Sequence, residues 1–172
     1  MAIGWRHLLR GGLQAVARVT RAGARGPRAS LPRPGGHVAL PDYPRRLTPV
    51  YAPLRDGDAD PGEVVWTWVP YEDDPSQGKD RPVLVVGHDD PYLLGLMLTS
   101  KDHSRSAAKE ARQGRHWMDI GSGAWDARQR PSEVRLDRVL RIDPARVRRE
   151  GAIMPRAVFD AVVTSLAEVK GW

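Results

Sequence analysis

The sequence predicts a mainly β domain closed by one helix and preceded by a basic tail, and three observations carry that prediction. Val83-Leu84-Val85-Val86 is a short apolar run between a polar loop (Tyr71 to Gln77) and Gly87. It is too short for an average helix and β-branched at three of its four positions, so it reads as a buried strand. Residues 81–87 and 92–99 flank the turn formers His88-Asp89-Asp90-Pro91, which makes the two segments a hairpin. Val158, Val162, Leu166 and Val169 then recur at helical spacing near the end of the chain, a stripe that lays one helix on a sheet face or barrel end.

Taken in order, the chain opens with a segment over residues 3–25 in which Trp5, Leu9, Leu13 and Val16 oppose Arg6, Arg10, Arg18, Arg21 and Arg25. This basic amphipathic pattern suits an anionic membrane surface, a nucleic acid or a partner. It also shares the Arg-rich, acid-poor character of an organellar presequence, and Gly11-Gly12 weakens it as a helix. The alternative is a disordered extension. Residues 26–61 are rich in Pro, Gly and Arg with few large apolar side chains, and read as a linker ending in the turn cluster Asp56 to Gly62. The division expected is therefore a tail and linker over 1–61 and a domain over 62–172.

Within the domain, Val64 to Val69 is β-branched and aromatic and forms the first strand. Trp66 and Trp68 share a face there, in core or dimer packing. Pro82 lacks an N–H and suits the first position of the second strand. Residues 100–116 form a long polar connection with a short helix in its second half, and Trp117 to Ile120 is a short strand. Glu133 to Ile142 alternates, turning Val134, Leu136 and Val139 inward with a bulge near Arg138. Asp143 caps a helical turn from Pro144 to Arg149, ended by Gly151. Pro155 opens the last helix and Gly171 closes it.

Composition narrows the function classes. The formal net charge is +6, but residues 1–46 hold nine arginines against one acid, Asp42, so the rest of the chain is slightly acidic. Nucleic-acid binding by the domain must therefore rest on local geometry rather than bulk charge. There is no cysteine, which excludes disulfides and thiol catalysis. The five histidines show no zinc-like spacing, so no metal or other cofactor is expected. No run approaches the ~20 apolar residues of a membrane span, and the tail lacks the apolar core of a secretory signal, so a cytoplasmic protein is expected, with no membrane as its partner.

Four segments in order resemble the PemK/MazF family of toxin endoribonucleases. They are Gly62-Glu63-Val64-Val65-Trp66, the loop and strand Gln77-Gly78-Lys79-Asp80-Arg81-Pro82-Val83-Leu84-Val85-Val86, Leu98-Thr99-Ser100, and Pro131-Ser132-Glu133-Val134-Arg135-Leu136-Asp137 before a C-terminal helix. The resemblance covers residues 62–172. It implies an SH3-like antiparallel barrel, a homodimer, and metal-independent cleavage of single-stranded RNA as the toxin of a type II toxin–antitoxin system. It further implies an antitoxin protein as partner, with operator DNA bound together with that antitoxin.

The resemblance places Arg81 and Thr99 at the centre of the site. RNA brings its own nucleophile, the 2′-OH; the enzyme must accept that proton, protonate the leaving 5′ oxygen and neutralise the phosphorane. A guanidinium held at a strand mouth does the last with two parallel N–H bonds, and the Thr99 hydroxyl orients the phosphate or the 2′-OH. An arginine paired with a neighbouring acid is the competing reading for Arg81. Many relatives carry a glutamate where this chain has Ser76, so acid–base work falls to Asp80, His103 or Arg81 itself. Gln77, Lys79, Ser100, Trp125 and Arg130 are expected to contact the substrate, Trp125 and the arginines Arg128, Arg130 and Arg135 by stacking on unpaired bases. Two other readings stay open: a silent nucleic-acid- or partner-binding module on the same barrel, and a protein whose activity lies in its tail.

Overall fold

The computed structural model describes residues 39–172. The segment expected to be amphipathic over residues 3–25, and the linker as far as residue 38, lie outside the described residues. The described chain forms β1 (Glu63–Pro70), β2 (Gly78–Asp89), β3 (Tyr92–Thr99), α1 (Ala107–Arg112), β4 (Trp117–Gly121), β5 (Ser132–Arg135), β6 (Leu140–Ile142), β7 (Arg149–Ile153) and α2 (Arg156–Lys170). All strand pairs are antiparallel, in the order β4-β5-β3-β2-β1-β7, with β6 also against β3. This is the mainly β, curled antiparallel architecture with a C-terminal helix that the sequence leads one to expect. No helix among the described residues is long and apolar enough to cross a membrane.

Side chains alternate across each strand, so the sheet carries two apolar faces. One collects Val64, Leu84, Val86, Leu94, Leu96, Leu98 and Val134 and packs against Phe159, Val162 and Leu166 of α2. Each such fully buried side chain contributes about 1.5–3 kcal/mol. The other face carries a smaller cluster of Val65, Val69, Val83, Val85, Met97, Leu140 and Ile142. The helix is bounded as expected: Pro155 precedes it and Gly171, in the left-handed region at φ 66°, ends it. Its buried line includes Phe159, while Val158 and Val169 are partly buried beside it.

Where β2 and β3 part company decides where the site lies. Their pairs run from the hairpin end to Val83 opposite Met97 and stop there, and Leu98 and Thr99 pair instead with Val134 and Glu133 of β5. Pro82 sits at this fork. The Val85 carbonyl accepts from the Gly62 N–H on the β1 side, so in this stretch odd-numbered residues of β2 turn their backbone groups toward β1 and even-numbered ones toward β3. The donor that Pro82 lacks is therefore the one that would have bonded β3 at Leu98. Pro82 is the fifth residue of a strand that starts at Gly78, not the first as expected; β1 pairs with the polar residues 78–81 and satisfies their backbone.

Other expectations are corrected. Residues 133–142 form two strands rather than one with a bulge, because the chain turns at 136–139 so that β5 and β6 pair with opposite ends of β3. Arg138, at that turn, is 8% exposed, pairs with Asp42 at 2.6 Å and donates to the Pro70 carbonyl at 2.9 Å. The helical turn is shorter than expected, Pro144–Arg146, and the capping by Asp143 is present through the Ala145 N–H. Gly151 does not end a helix; it lies within β7, an edge strand that needs only backbone pairing with β1. Part of the described stretch of the expected linker packs against the domain. Leu47 is 5% exposed in the main core, Tyr43 and Tyr51 lean on it, and the Val50 N–H donates to the Val86 carbonyl. These few apolar residues find a groove that only the folded sheet and α2 create.

Candidate active site

Arg81 stands two residues before Val83 and Thr99 two beyond Met97, so strand alternation puts both on the face of the smaller cluster, at the open end of the fork. They share two adjoining depressions. The first, of about 360 Å³, is floored by Val69 and Met97 and also lined by Lys79, Lys101, His103 and Trp117. The second, of about 390 Å³, adds Trp66, Asp80, Ser100 and Arg130. A more enclosed cavity of about 240 Å³ between Leu40, Trp68, Tyr92 and Ile142 holds neither residue. Its arginines are committed, Arg141 to Asp89 and Arg146 to Asp143.

Arg81 differs from the other arginines of the two depressions. Arg135 is tied to Asp137 at 2.7 Å and Glu72 at 2.6 Å, Arg138 to Asp42, Arg115 to Glu72 and Glu110, and Arg130 to Asp126 at 2.7 Å. Asp80, the acid next in sequence, pairs with Arg148 at 2.6 Å. Among the described residues the Arg81 side chain has no ion pair or hydrogen bond, so the acid-paired reading does not hold. Half-burial, and secondarily the like charge of Arg135, pull this guanidinium below its ordinary value, with Tyr71 opposing. An arginine stays protonated regardless, so a half-buried positive charge faces the two depressions.

Thr99 is 8% exposed, and its Oγ1 accepts the Lys101 N–H at 3.2 Å. With one lone pair so engaged, the hydroxyl is oriented and its proton is available to donate into the site. Lys79 and Lys101 are exposed and line both depressions, adding mobile positive charge.

His103 is 8% exposed and fixed in two directions. Its Nδ1 lies 2.7 Å from Glu133 Oε2, and its backbone N–H donates to the same carboxylate at 3.1 and 3.3 Å. Its ring lies parallel to that of Trp117, with 4.0 Å between centroids. The Trp117 Nε1 donates to Glu110, and the Arg135 guanidinium lies 5.8 Å over the Trp117 ring.

Several residues expected at the site lie elsewhere. Trp125 is not a stacking platform: it is 4% exposed within the main core, and its Nε1 donates to Ser132 Oγ. Gln77 lines neither depression; its Nε2 donates to Asp74 Oδ2 at 2.6 Å. Ser76 is likewise turned to Asp74, its Oγ donating at 2.6 Å. These hydrogen bonds from Ser76 and then Gln77 hold the Asp74 carboxyl below its usual range. Arg128 is exposed and outside both depressions, whereas Arg135 is 6% exposed, a structural cation rather than a surface one.

The residue that sequence reasoning passed over is Glu133. A signal was present: inward-facing Val134 and Leu136 leave Glu133, Arg135 and Asp137 as a charged row on the opposite side. In the fold that row serves the site wall, Glu133 through His103 and Arg135 through Glu72 and Asp137.

The Arg135–Asp137 pair has a testable acid signature. Burial alone would raise the Asp137 carboxyl, but the Arg135 hydrogen bonds and the His116 N–H outweigh it and hold the group below its ordinary 3.8. Arg135 moves the opposite way, upward, as a paired cation should. A carboxyl depressed in the folded state stabilises fully above its unfolded value and loses that contribution as pH falls through the folded one. Asp137→Asn is expected to cost about 2–3 kcal/mol at neutral pH and to flatten the acid limb of stability below about pH 4. Urea unfolding across pH 2.5–7 measures both; parallel curves for parent and variant would refute the assignment.

The family model described as PemK-like, MazF-like toxin of type II toxin-antitoxin system matches residues 60–169 of this chain. Among solved structures, the crystal structure of MazE-MazF (Form-II) from Deinococcus radiodurans is similar over 67% of this chain and 98% of that one, with 20% identity and a TM-score of 0.47. No curated protein matches the chain.

Proposed function

The chain belongs to the PemK-like, MazF-like toxin family of type II toxin–antitoxin systems, and from that premise we propose that it is an endoribonuclease that cleaves single-stranded RNA. The observation that carries this reading is the half-buried Arg81 guanidinium without a carboxylate partner, in the same depressions as an oriented Thr99 hydroxyl. An unpaired, half-buried cation is unfavourable, and a phosphodiester is an anion that fits its fork.

In the reaction, the 2′ oxygen attacks the neighbouring phosphorus and the bond to the 5′ oxygen breaks. Negative charge grows on the non-bridging oxygens, where Arg81 donates two N–H bonds and Thr99 a third. Preorganised donors aimed at developing charge are a large source of rate enhancement. No step calls for a metal. Of the acid–base candidates, Asp80 is occupied by Arg148, while His103 stands in the first depression. The family assignment further supports an antitoxin protein as partner, a homodimeric toxin, and operator DNA bound through the toxin–antitoxin complex.

The test is digestion of single-stranded RNA by the full chain in excess chelator. Fragments with a 5′-hydroxyl and a cyclic phosphate or 3′-phosphate are expected. Salt-sensitive RNA binding without turnover would instead make the domain a binding module.

A further inference from the structure

We infer that His103, held by Glu133, is the base that takes the 2′-OH proton, and that the ribose supplying that hydroxyl lies in the depression walled by Trp117 and floored by Met97. The inference rests on the endoribonuclease reading and adds to it the base, its positioning residue and the direction of the RNA across the site.

A carboxylate only accepts hydrogen bonds, and Glu133 already accepts the His103 backbone N–H. At 2.7 Å from Oε2, Nδ1 must be the protonated nitrogen of the neutral ring, and the lone pair is then on Nε2. The ring spans a wall. His103 lines both the Arg81 depression and a neighbouring groove, whereas Glu133 lines that groove and a further one but not the Arg81 depression. The Nδ1 edge faces Glu133, so Nε2 is the nitrogen turned away from that carboxylate, on a ring that lines the same depression as Arg81 and Thr99. Among the described residues Nε2 has no hydrogen-bond partner, and it is not among the fully buried unpaired atoms, so it is not sealed from solvent. Stacking on Trp117 removes the remaining rotational freedom.

The step balances as follows. Nε2 takes the 2′-OH proton, the 2′ oxygen bonds to phosphorus, and the electron pair of the P–O5′ bond leaves on the 5′ oxygen, which draws a proton from water. The imidazolium returns its proton to solvent. In-line displacement places the attacking and leaving oxygens on opposite sides of the phosphorus. With the phosphate on Arg81 and Thr99, the upstream nucleoside occupies the His103 side and the downstream one the depression lined by Ser100 and Arg130.

Glu133 has a separable role. Gln in its place has one acceptor oxygen for two donors. If that oxygen keeps the backbone N–H, the amide NH₂ faces Nδ1 and drives the ring to the Nε2–H tautomer, which is no base.

The test uses a short single-stranded RNA with oxygen or sulfur at the bridging 5′ position; sulfur leaves without an acid. His103→Ala is expected to lower kcat by about 10²-fold or more, by the same factor on both substrates. Glu133→Gln should lower kcat on both with KM within about twofold, as expected for a base acting only in the chemical step. Sulfur restoring His103→Ala to the parent rate would put His103 on the leaving group and overturn the inference, as would unchanged cleavage of the oxygen substrate. Long-range ¹⁵N spectra of the parent give a reading independent of variant folding: Nδ1–H is expected in the neutral His103 ring, and Nε2–H would overturn it. A parent that cleaves neither substrate, with Nδ1–H present, refutes the nuclease reading itself and the inference with it, while leaving the geometry intact.

Discussion

Arg81→Ala is expected to lower the proposed cleavage of single-stranded RNA by about 10²- to 10³-fold, the loss that follows when one preorganised donor to a developing oxyanion is removed. The fold should not suffer with it. The side chain has no ion pair or hydrogen bond among the described residues, so truncation leaves no carboxylate stranded. The stability change is set by lost methylene packing on one side and relief of a desolvated charge on the other, and stays within about 1 kcal/mol. Arg81→Lys separates charge from shape. It keeps the cation but loses the planar fork, and should fall between parent and alanine variant. Single-turnover kinetics beside thermal unfolding read both quantities. An alanine variant that cleaves like the parent would remove Arg81 from the mechanism.

Trp125→Ala should act in the opposite way, on stability. Truncating a buried aromatic costs about 3–5 kcal/mol, here with the Nε1 bond to Ser132 lost as well. A drop in Tm on the order of 10 °C is expected. The ring is held closely: a Cβ on Gly123 would come within 2.2–2.6 Å of it, so glycine is required for the turn to pass over the indole. Unfolding of the variant without RNA is the decisive measurement. An unchanged Tm with weakened RNA affinity would return Trp125 to the surface role that its loop setting suggests.

What could be read from the sequence follows the range of the interactions. The β2–β3 hairpin, α1, the Pro155 and Gly171 boundaries of α2 and the Asp143 cap are local, and local patterns revealed them. Arg81 and Thr99 came from a resemblance in ordered motifs, and the fold brings them to one concavity. The Glu133–His103 bond joins residues 30 apart and needs β5 beside β3 before it exists. Trp125 sits in a polar stretch, Trp125 to Pro131, whose composition says surface, yet Ile120, Val134 and α2 share its core. β7 carries Arg149-Glu150-Gly151, which resembles a helix end, and becomes a strand because β1 offers an unpaired edge.

Pro82 has a consequence beyond backbone bookkeeping. Most clefts are kept open by bulky side chains, and drift that shrinks those chains lets them collapse. Here the ladder between β2 and β3 stops beside a ring nitrogen that carries no hydrogen and so cannot supply the next bond. Part of the aperture is thus written into covalent structure, and side-chain substitutions on either lip leave that missing donor unchanged.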